Sequence, residues 1–198
     1  MCVKILVDGT LVSRNNLLAT VSTLGPSYRV YLKLYINSFD GTNLKSGKWA
    51  ELLRLTRTNK NCCSIGDRIP LILTNKGGFI QVATQIGSSG NNWKNVNLNA
   101  RTWYRLEIVQ YEHNDKVFIN NILGNLLKLL ELHKNQNVFF QHFNVIKLNG
   151  RVVRKVENRN PRTYNNVKVW AAKAAFGFPA ADAYIKDLVY ENLGKNLV

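Results

Sequence analysis

Tyr28–Phe39 reads YRVYLKLYINSF. Val30, Leu32, Leu34 and Ile36 alternate with Arg29, Tyr31, Lys33 and Tyr35. Successive strand side chains point to opposite faces, so the stretch predicts a strand with an apolar face turned to a core. The other face is a basic-aromatic ladder. Similar runs recur along the chain. Leu17–Leu24 is closed by Gly25-Pro26, Phe79–Ile86 follows Gly77-Gly78, and Thr102–Tyr111 alternates as well. Phe143–Val153 predicts a hairpin turning at Asn149-Gly150, a pair suited to a turn that needs positive φ twice. Asn166–Ala172 and Tyr184–Glu191 are the last strand candidates. Strands that follow one another with almost no helical pattern between them predict an all-β, antiparallel β-sandwich of two sheets.

One segment departs from this rhythm. Asn121–Lys134 (NILGNLLKLLELHK) places Ile122, Leu123, Leu126, Leu127 and Leu130 on one helical face. It predicts one inserted amphipathic helix over about 121–134, within an insertion spanning about 120–137. Its Leu face is a candidate packing or assembly surface. No internal repeat or linker divides the 198 residues, so residues 1–198 are expected to form a single domain.

Charge is the outlying feature of the composition. Twenty-seven Lys and Arg face twelve Asp and Glu, a formal +15, with a pI near 9.9. Few carboxylates are available for acid/base pairs or hard-metal cages. Phosphate-loop, GxGxxG, GxSxG and HExxH motifs are absent. His113, His133 and His142 have no metal-ligand spacing, and three cysteines (Cys2, Cys62, Cys63) make no zinc set. No metal and no cofactor are therefore expected. Glycoside hydrolysis needs two carboxylates flanking one bond. The acidic cluster is Glu107, Glu112 and Asp115. Glu107 and Glu112 are five apart, so a regular strand sends them to opposite faces. Glu107 is expected to partner a nearby Arg or Lys, and no catalytic residue is assigned.

No apolar run reaches the ~20 residues of a transmembrane helix. Met1–Asp8 does not read as a signal peptide, because Asp8-Gly9 breaks its short apolar run.

Several blocks carry a resemblance. They are Asn16-Leu17-Leu18-Ala19-Thr20, Gly66-Asp67-Arg68-Ile69-Pro70, Trp103-Tyr104-Arg105-Leu106-Glu107-Ile108, Leu148-Asn149-Gly150, Val156–Arg162 and Asn166-Val167-Lys168-Val169. Together the chain resembles the laminin-G-like/concanavalin A-like jelly-roll domains of invertebrate extracellular and matrix proteins, over most of residues 16–192. The resemblance implies a jelly-roll β-sandwich, a binding or structural role and an extracellular or matrix setting. It transfers no catalytic residue. Asn121–Asn137 departs from the family as an insertion, and Ala171–Ala183 departs in composition.

The bases fall in three stretches. Arg29 and Lys33 lie beside Tyr31 and Tyr35, the stacking candidates. Lys45, Lys48, Arg54, Arg57 and Lys60 form a second group. Arg151, Arg154, Lys155, Arg159, Arg162 and Lys168 form the densest. A field of this sign attracts polyanions, with salt-dependent binding. The expected function is a non-enzymatic lectin-like module with an acidic or sulfated glycan, or another polyanion, as partner. Sequence-specific nucleic-acid recognition is not expected. The second reading is a self-assembling matrix protein, a homo-oligomer on an acidic mineral surface, joined through Leu123, Leu126, Leu127 and Leu130. A glucanase-type hydrolase is a third, weaker reading.

Overall fold

The computed structural model describes residues 2–6, 8–39, 49–58, 60, 64–115, 139–173 and 177–193. The predicted helix at 121–134, with its four assembly leucines, lies outside them, as do Lys45, Lys48, Cys62 and Cys63.

Two antiparallel sheets face each other. Sheet A runs in the order β1 (Cys2–Leu6), β13 (Asp182–Asn192), β4 (Tyr28–Ser38), β9 (Trp103–Asp115), β10 (Phe139–Leu148), β11 (Arg151–Glu157), with β2 (Thr10–Leu11) also on β13. Sheet B runs β3 (Asn16–Leu24), β12 (Tyr164–Ala171), β5 (Trp49–Thr56), β6 (Leu71–Asn75), β7 (Phe79–Ile86), β8 (Ser89–Asn97). The chain crosses between sheets repeatedly. It passes from β3 in sheet B to β4 in sheet A at Gly25-Pro26-Ser27, and from β11 back to β12 through Asn158–Thr163.

The core is the alternation of β4 repeated across the molecule. Val30, Leu32, Leu34 and Ile36 are fully buried, with Leu106, Ile108, Ile146 and Ile185 beside them in sheet A. Leu53, Ile72, Ile80, Val82, Val167 and Val169 answer from sheet B. The predicted hairpin turns at Asn149 (φ 49°) and Gly150 (φ 83°), both in the left-handed region. Its strands reach further than the expected 143–153, from Phe139 to Glu157.

Buried polar side chains tie this sandwich together. Asn158 donates to Gln110 Oε1 (2.7 Å) and accepts from the Gly87 N–H (2.9 Å), while Gln110 donates to the Pro26 carbonyl (2.6 Å). Three connections are locked by two buried amides, which keeps those amides satisfied in a dry place. The buried Tyr28 hydroxyl likewise donates to the Ile69 carbonyl at 2.9 Å.

β5 (WAELLRLT) is buried along nearly its whole length on both faces, and a bulge between Glu51 and Leu53 interrupts its alternation. The segments that follow β5 and precede β13 lie over its outer side. Leu55 and Arg57 exchange backbone hydrogen bonds with Pro70, Ile69 and Gly66. Glu51 N–H donates to the Pro179 carbonyl (2.8 Å), and Ala181 N–H donates back to the Glu51 carbonyl (2.8 Å).

Candidate functional site

The outer face of sheet A carries the predicted ladder. Arg29, Tyr31, Lys33 and Tyr35 project from β4 away from the core, between β13 and β9. Register then decides what each meets. Arg29 Nη2 donates to Glu191 Oε2 at 2.6 Å, and its Nη1 stands 3.8 Å from Glu107. Lys147 approaches the other oxygen of Glu107 at 3.6 Å. Lys33 Nζ lies 2.8 Å from Asp187. That hydrogen bond holds the Asp187 carboxyl below its ordinary value and raises Lys33. Both basic residues of the ladder therefore work against carboxylates of neighbouring strands. Glu107 faces outward between two cations, whereas Glu112 lies 3.9 Å from His142, and the two project from opposite faces of β9.

Tyr35 stands 5.3 Å from the Trp103 ring and 6.5 Å from Tyr184. Lys186 caps Trp103 at 4.0 Å, a cation–π contact. Trp103 and Tyr184 are exposed. Tyr31 sits beside Glu107 and Val189 instead. Trp103 and Tyr184 were absent from the sequence-derived candidates. Their alternation marks them as outward, but only the pairing of three distant strands brings them to Tyr35.

The outer face of sheet B is different, because polypeptide covers it. Beneath the segment after β5, Arg54 is fully buried on the outer side of β5. Its Nε donates to the Asp67 carbonyl (3.0 Å) and its Nη2 to the Lys60 carbonyl (2.7 Å). Burial pushes its pKa down, while Glu51 and Asp67 pull it back up. The Asp67 carboxylate is occupied too. It accepts from the Ser64 N–H at 2.7 Å and from the Thr58 hydroxyl. Asp67 thus orders the Gly66-Asp67-Arg68 turn, and Arg68 projects onward over the sheet.

Between these coverings a groove of about 190 Å³ opens, lined by Trp49, Arg68, Leu73, Gln81 and Phe178. Its floor is apolar: Leu71, Leu73 and Ala83 form a small outer cluster against which Trp49 and Phe178 pack. Phe79 meets Trp49 edge-on at 5.6 Å. Gln81 donates to Asn95 at 3.2 Å. Aromatic walls with a guanidinium and an amide at the rim suit a ligand that has one apolar face and several hydroxyls. Among the described residues no carboxylate lines it. Among the described residues no group of three or more His, Cys, Asp or Glu can hold a metal ion.

No family model matches the chain, and no curated protein does. Solved structures do match. The heptameric SAP-like pentraxin of Limulus polyphemus aligns with a TM-score of 0.51 at 10% identity, over 96% of this chain and 79% of that one. The binding domain of botulinum neurotoxin serotype G aligns with a TM-score of 0.50 at 11% identity, over 100% of this chain and 44% of that one. The fold shared with these structures is a two-sheet jelly-roll β-sandwich. The receptor-binding domain of botulinum neurotoxin D also aligns, with a TM-score of 0.45 at 11% identity, over 98% of this chain and 41% of that one. The chain spans less than half the length of these toxin domains.

In this jelly roll the densest basic stretch does not stay together. Arg151 is exposed at the start of β11. Lys155 lies over the Phe143 ring at 4.1 Å on the outer face of sheet A. Arg154 projects to the other side of β11 and donates to Asn92 of β8 at 3.2 Å, closing the gap between the sheet edges. Arg159 pairs with Glu157 at 3.1 Å in solvent. Lys168 projects from β12 in sheet B, in register with Thr20 and Thr56. Arg162 stands in the crossing segment before β12. Strand alternation and the change of sheet distribute a stretch that is continuous in sequence.

Proposed function

We propose that this jelly roll is a non-enzymatic lectin-like module that binds an acidic glycan, with the groove over sheet B as its principal site. The observation that carries the reading is the groove itself. Trp49 and Phe178 offer flat apolar walls to the C–H face of a sugar ring, and Arg68 and Gln81 offer polar partners to its substituents. The +15 charge favours an acidic glycan over a neutral one by raising the local concentration of polyanions. The non-enzymatic part is supported by Glu107, which lies between Arg29 and Lys147 on the other sheet. Two carboxylates facing one bond is what hydrolysis would require. An acidic glycan partner implies an extracellular or matrix setting.

The test is a titration, followed by tryptophan fluorescence, with a sulfated or uronic oligosaccharide and with its neutral counterpart, at graded salt. The acidic oligosaccharide is expected to bind more tightly. On a heparin column the protein is expected to elute above physiological ionic strength, about 0.15 M. Elution at or below that value, with no oligosaccharide binding, contradicts the reading.

A second reading, self-association, draws on the exposed Tyr35–Trp103–Tyr184 patch of sheet A. Sedimentation that finds only monomer at high concentration counts against it.

A further inference from the structure

A second cavity lies beyond the far end of β5. It measures about 310 Å³ and is lined by Arg57, Ile65, Arg162, Thr163 and Tyr164. Arg57 follows the last residue of β5, and Arg162–Tyr164 lead into β12. Trp49 and Arg57 thus flank β5 at its two ends, roughly 25 Å apart at about 3.3 Å per residue.

Several observations make this pocket unlike the paired charges of sheet A. First, among the described residues its wall holds two guanidiniums and no carboxylate. The nearest acid in the same turn, Asp67, directs its carboxylate to Ser64 and Thr58. Second, the Arg162 Nε is buried and has no hydrogen-bond partner among the described residues. A buried charged N–H is costly to leave without an acceptor. Third, the backbone is shaped around Arg57. Gly66 has φ +88°, and a Cβ there would come within 2.5–2.9 Å of the Arg57 side chain. Only glycine lets that side chain lie flat on the turn. Fourth, the two arginines converge. Burial raises the Tyr164 hydroxyl to about 12, and both Arg162 and Arg57 act on it in the opposite sense.

We infer that this pocket is an oxyanion site that receives a sulfate ester or a carboxylate of the bound glycan between Arg57 and Arg162, with the Thr163 hydroxyl and the Tyr164 ring as its walls. The planar fork of a guanidinium matches the paired oxygens of either group, and two forks in a partly dry pocket select for it over a hydroxyl. The inference deepens the glycan reading, since it names the charged group that the glycan carries.

The experiment uses the whole chain and four variants: Arg57→Gln, Arg162→Gln, Arg151→Gln and Arg159→Gln. The last two remove exposed bases outside the pocket, so all four lower the net charge equally. Inorganic sulfate is titrated first, followed by amide chemical shifts. A sulfated hexasaccharide, a uronic hexasaccharide and a neutral one follow, at fixed salt. Arg162→Gln and Arg57→Gln are each expected to weaken the better acidic hexasaccharide about tenfold, the usual scale for a charge-assisted hydrogen bond. Arg151→Gln and Arg159→Gln are expected to change it less than about twofold, as solvent-exposed charges do. Sulfate is expected to shift the amides of residues 57, 65–66 and 162–164 in the wild type and not in Arg162→Gln. The sulfated and uronic arms decide which oxyanion is preferred. Equal losses in all four variants overturn the pocket and leave diffuse attraction. Sulfate shifts lost in Arg162→Gln while no hexasaccharide binds would sustain the pocket and remove the glycan reading. Unchanged thermal unfolding in Arg162→Gln assures that the loss is one of binding.

Discussion

Both sheets of this sandwich place charged residues on their outer faces, and they treat them in opposite ways. On sheet A, Arg29 pairs with Glu191 and Glu107, Lys147 with Glu107, and Lys33 with Asp187, all across open strands at the surface. On sheet B, Glu51 and Arg54 occupy equivalent outward positions but are fully buried, because the segments after β5 and before β13 lie over them. Open pairing consumes charge and leaves a flat surface. Covered charge costs desolvation, which backbone carbonyls and neighbouring side chains must offset, and the coverings create concavity. The groove and the pocket described above both border the segment following β5. Arg68 of that segment walls one, and Ile65 walls the other. Net charge alone therefore says little about where a ligand sits. The architecture over β5 says more.

The contrast can be broken most directly at Arg54 and Arg29. Arg54→Ala leaves Glu51 buried beneath the covering and two backbone carbonyls without their donor, and is expected to cost about 3–5 kcal/mol in urea unfolding. Arg29→Ala removes two surface pairs and is expected to cost less than about 1 kcal/mol. Equal costs would mean that the two faces are not different environments.

Gly66→Ala sharpens the same point with a smaller change. The new methyl meets the Arg57 side chain in a backbone conformation that disfavours any Cβ. The expected loss is about 1–3 kcal/mol, together with weaker sulfate binding. A silent substitution would show that the turn does not position Arg57.

How much of this was readable beforehand varies with the region. β4 states its own orientation, since a strand buried on one face alternates with period two. The turn at Asn149-Gly150 was equally plain. β5 was not legible as a strand because a bulge between Glu51 and Leu53 sends Leu52 and Leu53 both to the core and breaks the period of two. The Tyr35–Trp103–Tyr184 patch needs the pairing of strands that begin at residues 28, 103 and 182, which no local pattern encodes. Arg151, Arg154, Lys155, Arg159, Arg162 and Lys168 form one basic stretch along the sequence. The hairpin's alternation and the crossing to sheet B separate them. Arg162 was among the candidates, but its pairing with Arg57 became visible only where the crossing segment meets the end of β5.

The smallest expected effect lies on the open face. Asp187 is held below its ordinary value by Lys33. A depressed carboxyl contributes stability that is present above its unfolded pKa, about 3.9, and is lost as pH falls through the folded value. Lys33→Ala should return Asp187 toward the ordinary value in an NMR titration and flatten stability between those two values. Stability near neutrality should scarcely change. A large loss at pH 7 would contradict the reading of sheet A as a solvated, self-paired face.

The two faces meet a single decisive comparison in Trp49→Ala and Trp103→Ala, titrated with the same acidic oligosaccharide by isothermal calorimetry. Trp49 walls the groove of sheet B and Trp103 tops the aromatic patch of sheet A. The expected result is a loss of at least about tenfold for Trp49→Ala, the scale of a buried aromatic anchor, and a change within about twofold for Trp103→Ala. A loss confined to Trp103→Ala would place binding on the open sheet and contradict the assignment of the groove.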